Sequence, residues 1–232
     1  MDPLLLVILA MGLFPIDALS FPQNDTANIK LVYLRRNEDK RPTILECDFD
    51  IEGNPSFLVV KWYKDDRPIS QWIRGITPVT TLEFRNSIDT FYESSSDPNK
   101  KYSSLALINP TIETTGDYRC VVQTESKMVS TYHRIQVIDL SNYSLDQYHN
   151  KIPNGTEVKC VLTNMYPKPI LKILSNNGDV VKEEYNVEEN ENGSFNATAV
   201  VNVYETRIRS YTCQVFFKKE IQKLYDLTFN QK

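Results

Sequence analysis

Residues 45–64, LECDFDIEGNPSFLVVKWYK, decide how the rest of the chain is read. Thr43, Leu45, Cys47 and Phe49 alternate with polar neighbours, which is the signature of a half-buried β-strand. Glu52-Gly53-Asn54-Pro55 then turns the chain. In the strand that follows, Leu58, Val60 and Trp62 share the inward phase and leave Val59, Lys61 and Tyr63 on the other side. A tryptophan fifteen residues beyond a cysteine, on the next strand, is placed to pack against a disulfide made by that cysteine. Asp117-Tyr118-Arg119-Cys120 supplies the second cysteine, with a tyrosine two residues before it.

This is the pattern of an immunoglobulin-type sandwich, in which the first cysteine lies on strand B, the tryptophan on strand C and the second cysteine on strand F. Trp62 and Tyr118 are then core-packing residues. A second frame repeats it. Val158, Cys160 and Leu162 alternate as another strand B, Tyr166 to Ile173 leads into another strand C with Ile173 where the tryptophan is usual, and Tyr211-Thr212-Cys213 repeats the corner with Tyr211 in the core. Four cysteines allow three pairings. Pairing in order within each half, Cys47 with Cys120 and Cys160 with Cys213, closes loops of the sizes expected for a variable-type and a shorter sandwich, and each would stabilise by roughly 4 kcal/mol in an oxidising compartment. A zinc site, the competing use of four cysteines, has neither a CxxC pair nor close histidines. The fold class is all-β: two tandem immunoglobulin-like β-sandwiches, the first variable-type (residues 21–139) and the second constant- or intermediate-type (residues 140–232).

Residues 1–20 read as a signal peptide, because Leu4 to Phe14 is apolar but too short to span a bilayer and Ala18-Leu19-Ser20 is a small-x-small cleavage pattern. Five sequons, at Asn24, Asn142, Asn154, Asn192 and Asn196, suit a glycoprotein routed through the secretory pathway. Four of them lie beyond residue 140, which leaves the first domain the barer of the two. No later run approaches the ~20 apolar residues of a membrane helix, so the expected location is extracellular, as a secreted protein. Asp139-Leu140-Ser141 is a short join, expected to act as a limited hinge. Leu224 to Phe229 is expected to close the second sheet. The formal charge of −4, with two acids and no base in the leader, argues against a nucleic-acid or polybasic-membrane partner.

Catalysis needs a titratable group poised in a pocket, and only His133 and His149 exist, on different strands and outside any G-x-S-x-G or HExxH context. Asp65-Asp66 and Glu188-Glu189-Glu191 read as solvated charge at turns, and seven glycines form no phosphate-cradling loop. No catalytic residue, metal site, cofactor or small-molecule substrate is expected. What remains is surface. The outward phases of strands C, F and G, with a following strand around Ile69 to Ile73, give a candidate partner-binding face of Val59, Lys61, Tyr63, Trp72, Arg119, Val121, Gln123, Tyr132 and Arg134. Aromatic residues and arginine are the types enriched at interface centres.

The run from Leu45 to Gly53, followed by Val60-Lys61-Trp62-Tyr63-Lys64, resembles the first domain of the insect beaten-path family, and Gly116-Asp117-Tyr118-Arg119-Cys120 is similar to that family's strand F. The approach from Tyr148 to Gly155 resembles the second domain. The resemblance implies a neuronal cell-surface or secreted recognition protein that binds another immunoglobulin-superfamily receptor, of the sidestep type, through its first domain. Its roles would be cell adhesion, axon guidance or synaptic partner choice. A different class remains open, a soluble immune or pattern-binding protein that recognises a glycan or microbial surface. The sequence leaves homodimerisation undetermined.

Overall fold

A computed structural model of the chain describes residues 29–36, 41–51, 53–175, 177–182, 186–204 and 210–217. The expected signal peptide, Asn24 and the closing strand at Leu224 to Phe229 lie outside the described residues. In the first half the strands are β1 (Ile29–Arg35), β2 (Thr43–Leu45), β3 (Val59–Lys64), β4 (Arg67–Ile73), β5 (Val79–Thr80), β6 (Leu105–Leu107), β7 (Gly116–Gln123) and β8 (Met128–Leu140). The second half carries β9 (Ser144–Ile152), β10 (Gly155–Met165), β11 (Ile170–Ser175), β12 (Val180–Lys182), β13 (Asn186–Glu189), β14 (Phe195–Val203) and β15 (Tyr211–Phe216).

The first sandwich sets a six-stranded sheet, in the order β1-β8-β7-β3-β4-β5, against the β2-β6 pair. Leu58, Val60 and Trp62 are buried, as their shared phase requires. Cys47 is joined to Cys120, and Trp62, directly across from Cys120 in the ladder, donates its indole N–H to the Ser103 carbonyl at 2.9 Å. The tyrosine corner closes as Tyr118 donates its hydroxyl to the Thr114 carbonyl at 2.9 Å. Along the strand B segment, side chains meet the backbone carbonyls: Lys30 reaches Ile44, His133 reaches Glu46 and Thr131 reaches Asp48. These bonds tie β1 and β8 to the strand B segment across the edge of the sandwich. His133 is therefore a structural group rather than a solvated one, and its bond to a carbonyl puts the proton on Nε2.

The second sandwich sets β13-β14-β10-β9 against β12-β11-β15. Cys160 is joined to Cys213, and Ile173, fully buried and paired across from Cys213, fills the tryptophan's place. Tyr211 packs half-buried against this core, its ring 6.5 Å from that of His149.

The junction differs from the hinge expected at Asp139-Leu140-Ser141. Strand β8 runs unbroken to Leu140 with β1 parallel to it, and Ile138 is buried in the second core while Val137 is buried in the first. Val32 and Leu34 of β1 face the first core, whereas Leu31 and Tyr33 pack on the second. Asp139 donates its N–H to the Tyr166 carbonyl at 2.9 Å, and the Tyr166 ring packs on the first core. The alternation of a strand lets one element serve two cores, so the join is a shared packing layer.

Candidate contact face

Direct pairing brings the outward side chains into rows. Tyr132 of β8 lies opposite Arg119 of β7, which lies opposite Tyr63 of β3. The next row is Ser130, Val121, Lys61 and Gln71, and the row beyond it is Met128, Gln123, Val59 and Ile73. Residues directly opposite in a ladder project to the same face. Val59, Lys61, Tyr63, Arg119, Val121, Gln123 and Tyr132 thus lie together on one side of the six-stranded sheet.

Trp72 does not belong to that face. It pairs with inward-facing Val60, is 3% exposed, and meets the Tyr102 ring edge-on with centroids 5.9 Å apart. Its pairing register puts it in the core, and its neighbours Gln71 and Ile73 take the outward positions. Arg119 is on the expected face but is not exposed. At 6% accessibility it lies beneath its neighbours, its guanidinium 4.7 Å from the centroid of the Tyr63 ring and its Nη2 3.3 Å from an Asp66 oxygen. Its Nε is buried without a hydrogen-bond partner. Arg134, at the rim, forms a two-pronged pair with Asp117, with Nη2 2.9 Å from Oδ2.

The acids at Asp65-Asp66 are more than solvated turn charges. Both residues adopt left-handed backbone, with φ of 47° and 61°, in the turn between β3 and β4. Short polar side chains tolerate that conformation best. Asp65 receives the backbone N–H of Asp117 at 2.9 Å and the Lys64 ammonium at 2.6 Å. Partial burial opposes ionisation of this carboxyl, but those two bonds hold it below the ordinary aspartate value. The same turn aims Asp66 at Arg119, so it fixes the arginine under the aromatic pair. Sequence reasoning missed the pairing of Asp66 with Arg119, and it missed Gln71, which takes the outward phase beside Lys61 but is itself buried. The strand spacing around Trp72 held the signal for Gln71, because a tryptophan in the core phase forces both its neighbours outward.

The electrostatics of the face follow from partial desolvation. Burial lowers the Lys61 ammonium and raises the Tyr63 phenol, with the Arg119 charge pulling the phenol back. Tyr63 remains a neutral hydrogen-bonding group at physiological pH, and the face presents aromatic and aliphatic area around a cationic centre. At the loop end of the same sandwich an open cleft of about 350 Å³ lies between the 49–55 and 122–129 segments, with Asp50, Asn54, Thr124 and Glu125 in its wall.

Of the sequon asparagines, Asn142, Asn154 and Asn192 are exposed and Asn196 is half-buried. Among the described residues no cluster of three or more histidine, cysteine or acidic side chains could hold a metal ion, and no helix is long and apolar enough to cross a membrane.

Residues 143–220 match the immunoglobulin C1-set domain family. Butyrophilin subfamily 2 member A2 of Homo sapiens is 25% identical over 179 residues, covering 75% of this chain and 34% of that protein. Hemolin of Hyalophora cecropia is 26% identical over 188 residues, covering 75% of this chain and 39% of that protein. The chain therefore spans little more than a third of the length of these relatives. Among solved structures, bovine butyrophilin superposes with a TM-score of 0.61 at 14% identity, over 81% of this chain and 88% of that one. A chain of the crystal structure of ICOS in complex with ICOS-L and an anti-ICOS-L VNAR domain superposes with a TM-score of 0.60 at 18% identity, over 88% of this chain and all of that one. At such identities the structural likeness is one of fold.

Proposed function

We propose that this chain, an immunoglobulin-superfamily protein with a C1-set second domain, works as a recognition protein that binds a protein partner through the outer face of its first sheet. The observation that carries this reading is the row Tyr132–Arg119–Tyr63, in which two tyrosines occupy the positions on either side of an arginine that stacks on the Tyr63 ring and pairs with the exposed carboxylate of Asp66. Aromatic side chains bury large area at low entropic cost and dominate binding energy where they occur at interface centres, and the buried Arg119 orders the Tyr63 ring for that role. Four of the five sequons lie in the second domain, outside the strands that build this face. Two disulfides favour an extracellular setting, where they persist.

The partner is a receptor of the immunoglobulin superfamily. The fold likeness to the ICOS complex, a structure of one such protein bound to another chain, supports this class of partner. The resemblance of Leu45 to Lys64 to the beaten-path family narrows it to a sidestep-type receptor, with a role in neuronal adhesion, axon guidance or synaptic partner choice. Binding of the glycosylated protein to an array of cell-surface ectodomains tests the reading. One or more immunoglobulin-superfamily receptors should bind, and Tyr63→Asp with Tyr132→Asp should abolish that signal while the protein stays folded, with a stability loss no larger than that of the Tyr63–Arg119 contact. Intact binding by the double variant would overturn it.

A second reading is favoured by the loop-end cleft, whose wall mixes Asp50, Asn54, Thr124 and Glu125 with the apolar Phe49 and Val129, a combination that suits the hydroxyls and the ring faces of a sugar. Here the protein is a soluble immune or pattern-binding molecule that recognises a glycan or microbial surface. A glycan array separates the two, since this reading requires glycan binding that survives the Tyr63 and Tyr132 substitutions.

A further inference from the structure

The two sequons closest in sequence, at Asn192 and Asn196, occupy opposite chemical situations. Asn192 sits at the tip of the β13–β14 hairpin, where Gly193 takes φ of 77° and donates its N–H to the Asn190 carbonyl. The Asn192 side chain is exposed. Its Oδ1 accepts from the Ser194 N–H at 3.1 Å and from the Ser194 hydroxyl at 2.7 Å, while its Nδ2 has no hydrogen-bond partner among the described residues.

Asn196 is engaged at both ends. Strand β10 slips register between Leu162 and Met165, and Asn164 within the slip adopts φ of 53°. The Asn164 N–H, which the ladder to β14 no longer serves, donates to Asn196 Oδ1 at 3.0 Å. Asn196 and Asn190 also face each other as a reciprocal amide pair, with Asn196 Nδ2 donating to Asn190 Oδ1 at 2.9 Å and Asn190 Nδ2 to Asn196 Oδ1 at 3.3 Å. In such a ring each nitrogen donates the hydrogen that lies on the same side of the C–N bond as its own oxygen.

Sugar attachment uses that same position. In a secondary amide the substituent on nitrogen lies on the oxygen's side of the C–N bond, as in a trans peptide, and the alternative costs about 2.5 kcal/mol. A sugar on Asn196 would therefore replace the hydrogen that binds Asn190 and would occupy the space of that partner. Asn192 has no such conflict.

We infer that Asn192 is a glycan-bearing residue and that Asn196, despite its intact sequon, stays bare because its carboxamide clamps the β10 slip. In the modification, Asn192 Nδ2 bonds to the anomeric carbon of a polyprenyl-diphosphate-linked oligosaccharide. The bond from that carbon to the diphosphate oxygen breaks, the diphosphate leaves with the electron pair, and Nδ2 loses one proton. The hairpin tip that carries Asn192 lies near the first domain, since a Cβ built on the adjacent Gly193 would lie 3.0 Å from Ile112.

The test is site occupancy of the full chain exported from eukaryotic cells. Enzymatic removal of N-glycans in heavy-oxygen water converts each formerly glycosylated asparagine to a labelled aspartate, which fragmentation mass spectrometry locates. A label at Asn192 and none at Asn196 is the expected result. Label at Asn196, with or without Asn192, overturns the inference, and so does its absence from both. As an independent readout, Asn192→Gln should lose one glycan step on a gel while Thr198→Val, which destroys only the Asn196 sequon, should leave the mobility unchanged. A step lost in Thr198→Val would contradict the clamp.

Discussion

The guanidinium of Arg119 lies 4.7 Å from the ring centroid of Tyr63, on neighbouring strands and at directly paired positions. Because Arg119 is buried, the contact is shielded from solvent and the two side chains hold one another in place. A cation over an aromatic face is worth about 0.5–2 kcal/mol depending on desolvation. A double-mutant cycle of Tyr63→Ala and Arg119→Ala in urea unfolding should return a coupling energy in that range. Additive losses would show that the pair is a coincidence of geometry.

Trp72 discriminates core from surface. Trp72→Ala should cost about 3–5 kcal/mol through the cavity it leaves against Val60 and Tyr102, whereas Gln123→Ala on the outer face should stay within about 0.5 kcal/mol. Comparable unfolding midpoints for the two variants would contradict the burial of Trp72.

Tyr118→Phe removes the hydroxyl that satisfies the Thr114 carbonyl. The expected destabilisation is about 1 kcal/mol, with the far-ultraviolet spectrum unchanged. A neutral outcome in chemical denaturation would mean that the corner is maintained by packing alone.

His133 gives the fold a pH dependence. Burial disfavours its charged form and nearby Lys30 adds to this, while the Glu46 carbonyl and carboxylate act in the opposite direction; the net effect lowers its value below the ordinary 6.5. The unfolded chain therefore binds more protons than the folded one between that lowered value and about 6.5, so stability rises with pH through this window. The stabilisation is complete above 6.5 and lost as pH falls through the window. His133→Gln, which keeps a side-chain N–H for Glu46, should flatten the urea midpoint across that range. An unchanged slope in the variant would assign the effect to other groups.

Much of the fold was legible because it is local. The alternation of Leu58, Val60 and Trp62 tells inside from outside without knowledge of any partner strand, and the spacing of Cys47, Trp62, Tyr118 and Cys120 marks three strands that must meet. The outer face of the first sheet was legible only where alternation was unambiguous. Trp72 was misplaced because a single strand has two possible phases, and its phase is fixed by pairing with Val60, a contact the order of residues does not state. Asp66 reaches Arg119 only because the β3–β4 turn takes left-handed backbone at two successive aspartates.

The sequence by itself determined an all-β chain with two cysteine frames and the inward residues of the central strands, since these follow from side-chain periodicity and short motifs. Tertiary structure alone decided which outward residues share a row, that Arg119 is buried under them, that Ile138 and Val137 serve different cores, and that Asn196 closes a slipped ladder. Each of these depends on register between strands distant in sequence, and register is set by the packing of the whole sandwich.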